Sequence, residues 1–307
     1  MTNTKIISHS FEYLAPGTLL ELLSSLQKPG SMCLAGGTDL VNRLKLKTAA
    51  PQQVIYIGKV EGLMEFSADD SGLHIGAMVP MRTVETNSLV QKDYIGLHSA
   101  INSVGGMQIR NTATIAGNIA NASPAADTPP PLMTLRAECR LASMKGNEVS
   151  YRNVAVEKIF TGPGSTVLEE DECIVSINVP KPEGDYGTSF LRSARVKLDV
   201  AKANCAVFLQ RDGKECSEIR IAAGAVAPMP IRVPHVEEAL RGKKIDSQTI
   251  KKAAALIGED IQPIEDVRST VRYRMRVMKV LIRDAVFAAW ANAGGRDFRE
   301  GKSEEKN

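Results

Sequence analysis

Apolar residues at helical intervals mark the start of the chain. Leu19, Leu20, Leu22, Leu23 and Leu26 recur three and four apart, the spacing that puts side chains on one face of a helix. Met32-Cys33-Leu34-Ala35 is a short apolar run that stops at Gly36-Gly37, so a strand is expected to lead into a glycine turn with a second helix behind it. Val54-Ile55-Tyr56-Ile57 reads as a buried strand. Leu73-His74-Ile75-Gly76-Ala77 reads as another, after the turn residues Asp69-Asp70-Ser71-Gly72. The stretch 80–104 predicts a helix entered at Pro80, and 102–127 is rich in small polar residues and poor in large apolar ones.

Beyond Pro129-Pro130-Pro131, Cys139-Arg140-Leu141-Ala142 and Cys173-Ile174-Val175-Ser176-Ile177 read as strands, and Pro180 and Pro182 mark a break. Strands follow at 188–193, 203–210 and 219–225, then the turn Pro228-Met229-Pro230 and helices. The last helix is expected over 269–291, with Met278, Leu281, Ile282, Ala285 and Ala289 on its apolar face. Its other faces carry Arg268, Arg272, Arg274, Arg276, Lys279 and Arg283, a solvated surface or a docking face for an acidic partner. The expected units are 1–58, 59–180 and 181–295, with a disordered tail over 296–307.

Composition narrows the functional classes. A chain of 307 residues with 43% hydrophobic residues is long enough for a full core. Its 38 basic and 35 acidic side chains leave a formal charge of +3, which makes no electrostatic case for nucleic acid. No apolar run reaches the ~20 residues of a membrane span, and Met1-Thr2-Asn3-Thr4-Lys5 lacks the features of a secretory signal, so a cytoplasmic protein is expected. The five cysteines include no Cys-x-x-Cys pair, and the four histidines are dispersed. A metal site is therefore not expected, and any redox chemistry has to come from a bound organic cofactor.

Two segments carry candidate chemistry. In Leu34-Ala35-Gly36-Gly37-Thr38-Asp39-Leu40 an apolar strand runs into paired glycines, whose N–H groups can converge on an anion with no Cβ in the way, while Thr38 adds a hydroxyl. The same residues also make an ordinary turn and helix cap. The second segment, 108–127, holds Thr114, Gly117, Asn118, Ser123 and Asp127, small or polar groups suited to a backbone passing close to a flat ligand with phosphates and hydroxyls, although loops share this composition. There is no G-x-G-x-x-G and no G-x-x-x-x-G-K-[ST], so neither of the common nucleotide signatures accounts for the glycines. No Ser/His/Asp or Cys/His pairing points to a catalytic side chain.

The order of these segments resembles the FAD-binding, or medium, subunit of the xanthine dehydrogenase and carbon monoxide dehydrogenase family of molybdenum hydroxylases. Phe11-Glu12-Tyr13-Leu14-Ala15-Pro16-Gly17-Thr18 resembles the family's opening, 35–40 its first FAD motif, and 108–127 its second, T-I-G-G-N followed by S-P-x-x-D. Segments 220–232 and 266–274 resemble its carboxy-terminal domain. Ala116 stands where the second motif usually has glycine, so the turn is expected in an ordinary conformation. Thr38-Asp39 differs from the His-Ser of carbon-monoxide-oxidising members, and no cysteine cluster marks the additional iron–sulfur site of the hydroxybenzoyl-CoA reductase branch.

The resemblance implies an α+β protein: a two-subdomain FAD-binding fold of the vanillyl-alcohol-oxidase type, then a carboxy-terminal domain with a small antiparallel sheet and helices. It implies non-covalent FAD, with Ala35, Gly36, Gly37, Thr38, Asp39, Thr114, Gly117 and Asn118 around the diphosphate. Ser123 and Asp127 would lie nearer the ribityl chain or flavin, Gly76 at a strand end beside the cofactor, and Arg192 where relatives carry a lysine near the flavin. Molybdopterin and two [2Fe–2S] clusters would reside on a large and a small partner subunit in an (αβγ)2 assembly, with electrons leaving to NAD+, a quinone or another carrier. The alternatives are a stand-alone flavin oxidase or dehydrogenase of the same fold and a non-catalytic assembly protein.

Overall fold

In the computed structural model, residues 7–294 are described; the amino-terminal residues read for a signal and the tail over 296–307 lie outside them. The first sheet is built around strong local signals. Strand β1 (Glu12–Leu14) leads to helix α1 (Leu19–Leu26), which starts on a reciprocal cap: Thr18 Oγ accepts the Glu21 N–H, and the Glu21 carboxylate accepts the Thr18 N–H. Its face of Leu22, Leu23 and Leu26 is buried. Strand β2 (Ser31–Leu34), helix α2 (Leu40–Lys45) and strand β3 (Gln53–Tyr56) follow, and the three strands form a parallel sheet in the order β1-β3-β2.

The second sheet begins with β4 (Phe66–Asp69) and β5 (Gly72–Gly76). Six short helices then intervene: α3 (Met81–Thr86), α4 (Ser88–Asp93), α5 (Ile95–Ser103), α6 (Met107–Arg110), α7 (Ile115–Ala120) and α8 (Pro129–Thr134). The single helix expected over 80–104 is thus three. Asn87 breaks it by leaving the helical region and using its side chain to accept the Leu89 and Val90 N–H groups, and Tyr94 interrupts it again. Strands β6 (Glu138–Lys145) and β7 (Glu148–Ala155), the small hairpin β8 (Phe160–Gly162) and β9 (Ser165–Thr166), and β10 (Cys173–Pro180) complete this part. The five-stranded antiparallel sheet has the order β4-β5-β10-β6-β7 and puts Ile75 opposite Ile177.

The third sheet is antiparallel, with β11 (Tyr186–Ser193), β12 (Ala203–Asp212), β13 (Glu215–Gly224) and β14 (Ile231–Arg232) in sequence order. Helices α9 (Pro234–Leu240), α10 (Ser247–Ala255) and α11 (Val271–Asn292) cover one face. Met278, Leu281, Ile282, Ala285 and Ala289 pack there with Val207, Leu209 and Ile221 in a core separate from the one around α1 and the second sheet. The architecture is the expected α+β arrangement of a cofactor-binding part followed by a small antiparallel sheet with helices.

One residue of the basic helix faces departs from the sequence reading. Arg274 is 3% exposed and faces inward. It donates to the carbonyls of Lys202 and Ala225 and to the Asp266 carboxylate, fastening α11 to the ends of β12 and β13. Asp266 also accepts the Arg268 and Ser269 N–H groups. Burial pushes its carboxyl up, but those N–H groups and the Arg274 guanidinium outweigh it and hold the pKa down, from 3.8 to about 2. A depressed carboxylate stabilises the fold above its unfolded value and loses that contribution as the pH falls toward the folded one. Asp266→Asn should therefore lower stability near neutral pH by about 1–2 kcal/mol, and thermal unfolding curves should show the gap from wild type narrowing below about pH 4; a gap independent of pH would contradict this account.

Candidate functional site

The two glycine-bearing segments meet backbone to backbone. A Cβ built on Gly36 would lie 1.8 Å from the Thr112 carbonyl oxygen, so only glycine lets the turn after β2 close on the segment before α7. Gly37 has φ +72°, a conformation that side-chain-bearing residues rarely adopt. The turn thereby leaves donors open: the N–H groups of Gly36, Gly37, Thr38 and Asp39 find no acceptor among the described residues. The Thr38 hydroxyl has no partner either, and its carbonyl accepts from the Asn42 amide.

The second segment is organised differently. Thr114 caps α7, its hydroxyl accepting the Gly117 N–H at 3.0 Å, and the Asn118 N–H bonds to the Thr114 carbonyl at 3.0 Å. Both N–H groups are thus engaged within the helix, and the residues this segment turns to the cavity include Gly117, whose bare Cα faces Ala35, and Asn118, whose side-chain oxygen accepts from Thr128 Oγ1 at 2.6 Å. Ala116 is helical and buried, in the ordinary conformation expected of alanine.

A buried ion pair holds this segment in place. Arg110, 7% exposed, donates twice to Glu85 on α3, at 2.8 and 3.1 Å, and also to the carbonyls of Val104 and Gly105. Burial raises the Glu85 carboxyl, yet the Arg110 and Arg82 guanidinium groups prevail and hold it below its usual value. The Met81 N–H donates to the Ala113 carbonyl at 2.8 Å, a second tie to α3.

Together the segments enclose a cavity of about 540 Å³, lined by residues of both, by Cys33 and Cys173 on β2 and β10, and by Arg192, Leu198, Asp199 and Val200 at the edge of the third sheet. Eleven of the twelve residues singled out from the sequence line it: Ala35, Gly36, Gly37, Thr38, Asp39, Thr114, Gly117, Asn118, Ser123, Asp127 and Arg192. Gly76, expected beside the cofactor, is not among the lining residues. It is packed behind the wall, where a Cβ would meet the Leu63 carbonyl oxygen at 2.4 Å, and its neighbour Ala77 is the one that reaches the cavity.

The third sheet closes the far side. Asp127 accepts from Arg192 at 2.7 Å with one oxygen and from Asn204 Nδ2 at 2.9 Å with the other. The Ala225 N–H donates to the Pro124 carbonyl at 2.7 Å. Burial raises the Asp127 carboxyl while the Arg192 guanidinium opposes it. Asp127 is thus occupied as the anchor of its segment. Asn204, on β12, escaped the sequence reading because only strand pairing brings it beside residues so distant in the chain. Arg43, Glu172 and Asp199 also line the cavity, outside the residues expected around the cofactor; of these only Arg43, one turn beyond Asp39, had a local signal in its helical spacing. Among the described residues no group of His, Cys, Asp and Glu is arranged to hold a metal ion, and no helix is long and apolar enough to cross a membrane.

Comparison with known proteins places this geometry. Residues 9–182 match the family model of the FAD binding domain in molybdopterin dehydrogenase, and residues 188–289 that of the CO dehydrogenase flavoprotein C-terminal domain. The glyceraldehyde dehydrogenase medium chain of Sulfolobus acidocaldarius is 33% identical over 90% of this chain and 96% of its own. The xanthine dehydrogenase FAD-binding subunit of Escherichia coli O157:H7 is 29% identical over 92% of this chain and 97% of its own. Among solved structures, a carbon monoxide dehydrogenase from Hydrogenophaga pseudoflava, lacking the Mo-pyranopterin moiety of its molybdenum cofactor, superposes with a TM-score of 0.87 at 32% identity over 92% of this chain and 98% of the matched one.

The donors and the cavity fit FAD: open N–H groups and a hydroxyl for phosphate, and glycine surfaces that admit a flat, extended ligand. Gly36→Ala should drive the two segments apart at a cost of about 2–4 kcal/mol, and flavin absorbance should show most of the copurifying FAD lost. Gly117→Ala, whose Cβ would meet only Thr114 Oγ1 at 3.0 Å and Ala35 Cβ at 3.9 Å, should retain most of it. Equal retention by the two variants would contradict the close-approach account.

Proposed function

Because the chain belongs to the family of FAD-binding subunits of molybdopterin dehydrogenases, we propose that it is the subunit through which electrons leave a heteromeric molybdenum hydroxylase. They arrive from [2Fe–2S] clusters on a small partner subunit and depart to NAD+, a quinone or another acceptor, while a large partner carries molybdopterin and the hydroxylation site. The observation that carries this reading is the cavity that both glycine segments build, in a chain spanning 96% of a glyceraldehyde dehydrogenase medium chain and 97% of a xanthine dehydrogenase FAD-binding subunit. An (αβγ)2 assembly follows the same reading.

Bound FAD supplies the exchange between one-electron carriers and two-electron acceptors. The residues of this chain bind it, orient it and keep water from it. The open N–H groups of Gly36 to Asp39, with the Thr38 hydroxyl, are suited to the diphosphate, and Gly117 and Ala35 leave the room for it to pass. Asn118 and Ser123 offer polar side-chain atoms further along, and the Arg192–Asp127 pair sets the wall where the flavin end would sit. In this division of labour the unit over 1–58 supplies the anion-binding turn, that over 59–180 the opposing wall, and that over 181–295 the closure. No side chain here has to act as an acid or base.

Coexpression with its two partner subunits should yield a yellow complex containing Mo, Fe and FAD, with this chain holding the flavin alone. Substrate should reduce the FAD in the complex and leave it oxidised in the isolated chain. A self-sufficient flavin enzyme, oxidising substrate as a monomer or homodimer, would overturn the proposal, as would a chain that copurifies without flavin.

A further inference from the structure

Six ionisable Asp, Glu and Arg side chains line the cavity: Asp39, Asp127, Glu172, Asp199, Arg43 and Arg192. Three of the acids have their own cation within 2.7 Å, Asp127 with Arg192, Glu172 with Arg152, and Asp199 with Arg195. Arg192 is further engaged by the carbonyls of Lys197 and Asp199. Two of the six remain. Asp39 opens α2 without capping it; among the described residues neither its carboxyl nor the Arg43 guanidinium makes a hydrogen bond or close ion pair, and the only charge Asp39 feels is the field of Arg43 one turn on. Arg43 lies one helical turn beyond Asp39 on the same face and is exposed at the rim of the cavity.

Resting on the FAD reading of the cavity, we propose that Arg43 is the side chain that neutralises the cofactor's diphosphate. The diphosphate is anionic on both phosphates, and the N–H groups of Gly36 to Asp39 give it hydrogen bonds but no full positive charge. The charge on that turn itself, Asp39, has the wrong sign for a phosphate. Among the described residues, Arg43 is the cavity-lining cation that can reach out without breaking a hydrogen-bonded ion pair, giving up only its longer-range attraction to Asp39. Its planar guanidinium matches phosphate oxygens in a forked geometry, and its exposed stem leaves it free to swing from the rim. By the same elimination, Arg192 is a structural cation committed to Asp127.

The test is FAD affinity of the full-length flavin-free chain, read by quenching of flavin fluorescence at low and high salt. Arg43→Met should bind FAD about tenfold more weakly than wild type, the effect of one charge-assisted contact near the surface, and should show a smaller loss of affinity with added salt. Arg43→Lys should stay within about threefold of wild type, because it keeps the charge. Unchanged unfolding curves for both variants will exclude a folding effect. Wild-type affinity in Arg43→Met, or a loss equally large in Arg43→Lys, would overturn the inference; if Gly36→Ala abolished binding in the same series, the cavity reading would still stand. Absence of FAD binding by the wild-type chain would overturn both.

Discussion

The structure depends on one close approach, the Cα of Gly36 against the carbonyl of Thr112. Two segments some seventy-six positions apart in sequence, counting from 36 to 112, come within a distance that no side chain permits. Once they do, their orientations follow. The turn at Gly37 faces its N–H groups outward from β2, and α7 presents Gly117 toward Ala35. Neither segment makes a cavity by itself: one contributes donors, the other a wall. The Glu85–Arg110 pair is the counterpart of this contact on the hidden side. It is buried and fully bonded, the condition under which such a pair specifies a geometry rather than weakening the fold.

The third sheet participates through polar links of the same character. Asp127 is gripped from β11 by Arg192 and from β12 by Asn204, Pro124 accepts from Ala225, and Ala225 in turn is held by Arg274. A continuous line of hydrogen bonds thus runs from helix α11 to the small-residue strap over 123–127. Each link gives a buried polar group a partner, as a low-dielectric interior demands, although Asn204 Oδ1 and Arg274 Nε find none among the described residues.

Much of the fold was legible because apolar periodicity is a local property. The leucines of α1, the strand at Leu73 to Gly76 and the apolar face of α11 all sit where their spacing put them. The stretch 80–104 misled because its overall spacing is helical while Asn87 and Tyr94 end the helix by side-chain and backbone choices that a moment over the whole window averages away. Arg274 misled for a related reason: on a helix already lined with arginines, only the tertiary neighbours Lys202, Ala225 and Asp266 distinguish the buried one. In the candidate site the residue types were readable and their reasons were not. Gly36 was read as an anion turn, and its stricter requirement, contact with Thr112, exists only across the fold. Thr114 was read as a polar group for the ligand, yet its hydroxyl already takes the Gly117 N–H. Gly76 carried a motif likeness but serves the wall from behind.

The Asp127 anchor bears on the order in which the protein is made. A nascent chain emerging from the ribosome has the glycine turn after some forty residues and the opposing wall by residue 118, but the groups that pin the strap, Arg192, Asn204 and Ala225, arrive only when more than three fifths of the chain has been synthesised. Until then Asp127 is a carboxylate without its cation. The cavity therefore closes late, and a chain that stops early, or whose last sheet fails to fold, keeps an open wall. The strap over 123–127 thus gains its cation and its backbone tether only as the third sheet forms.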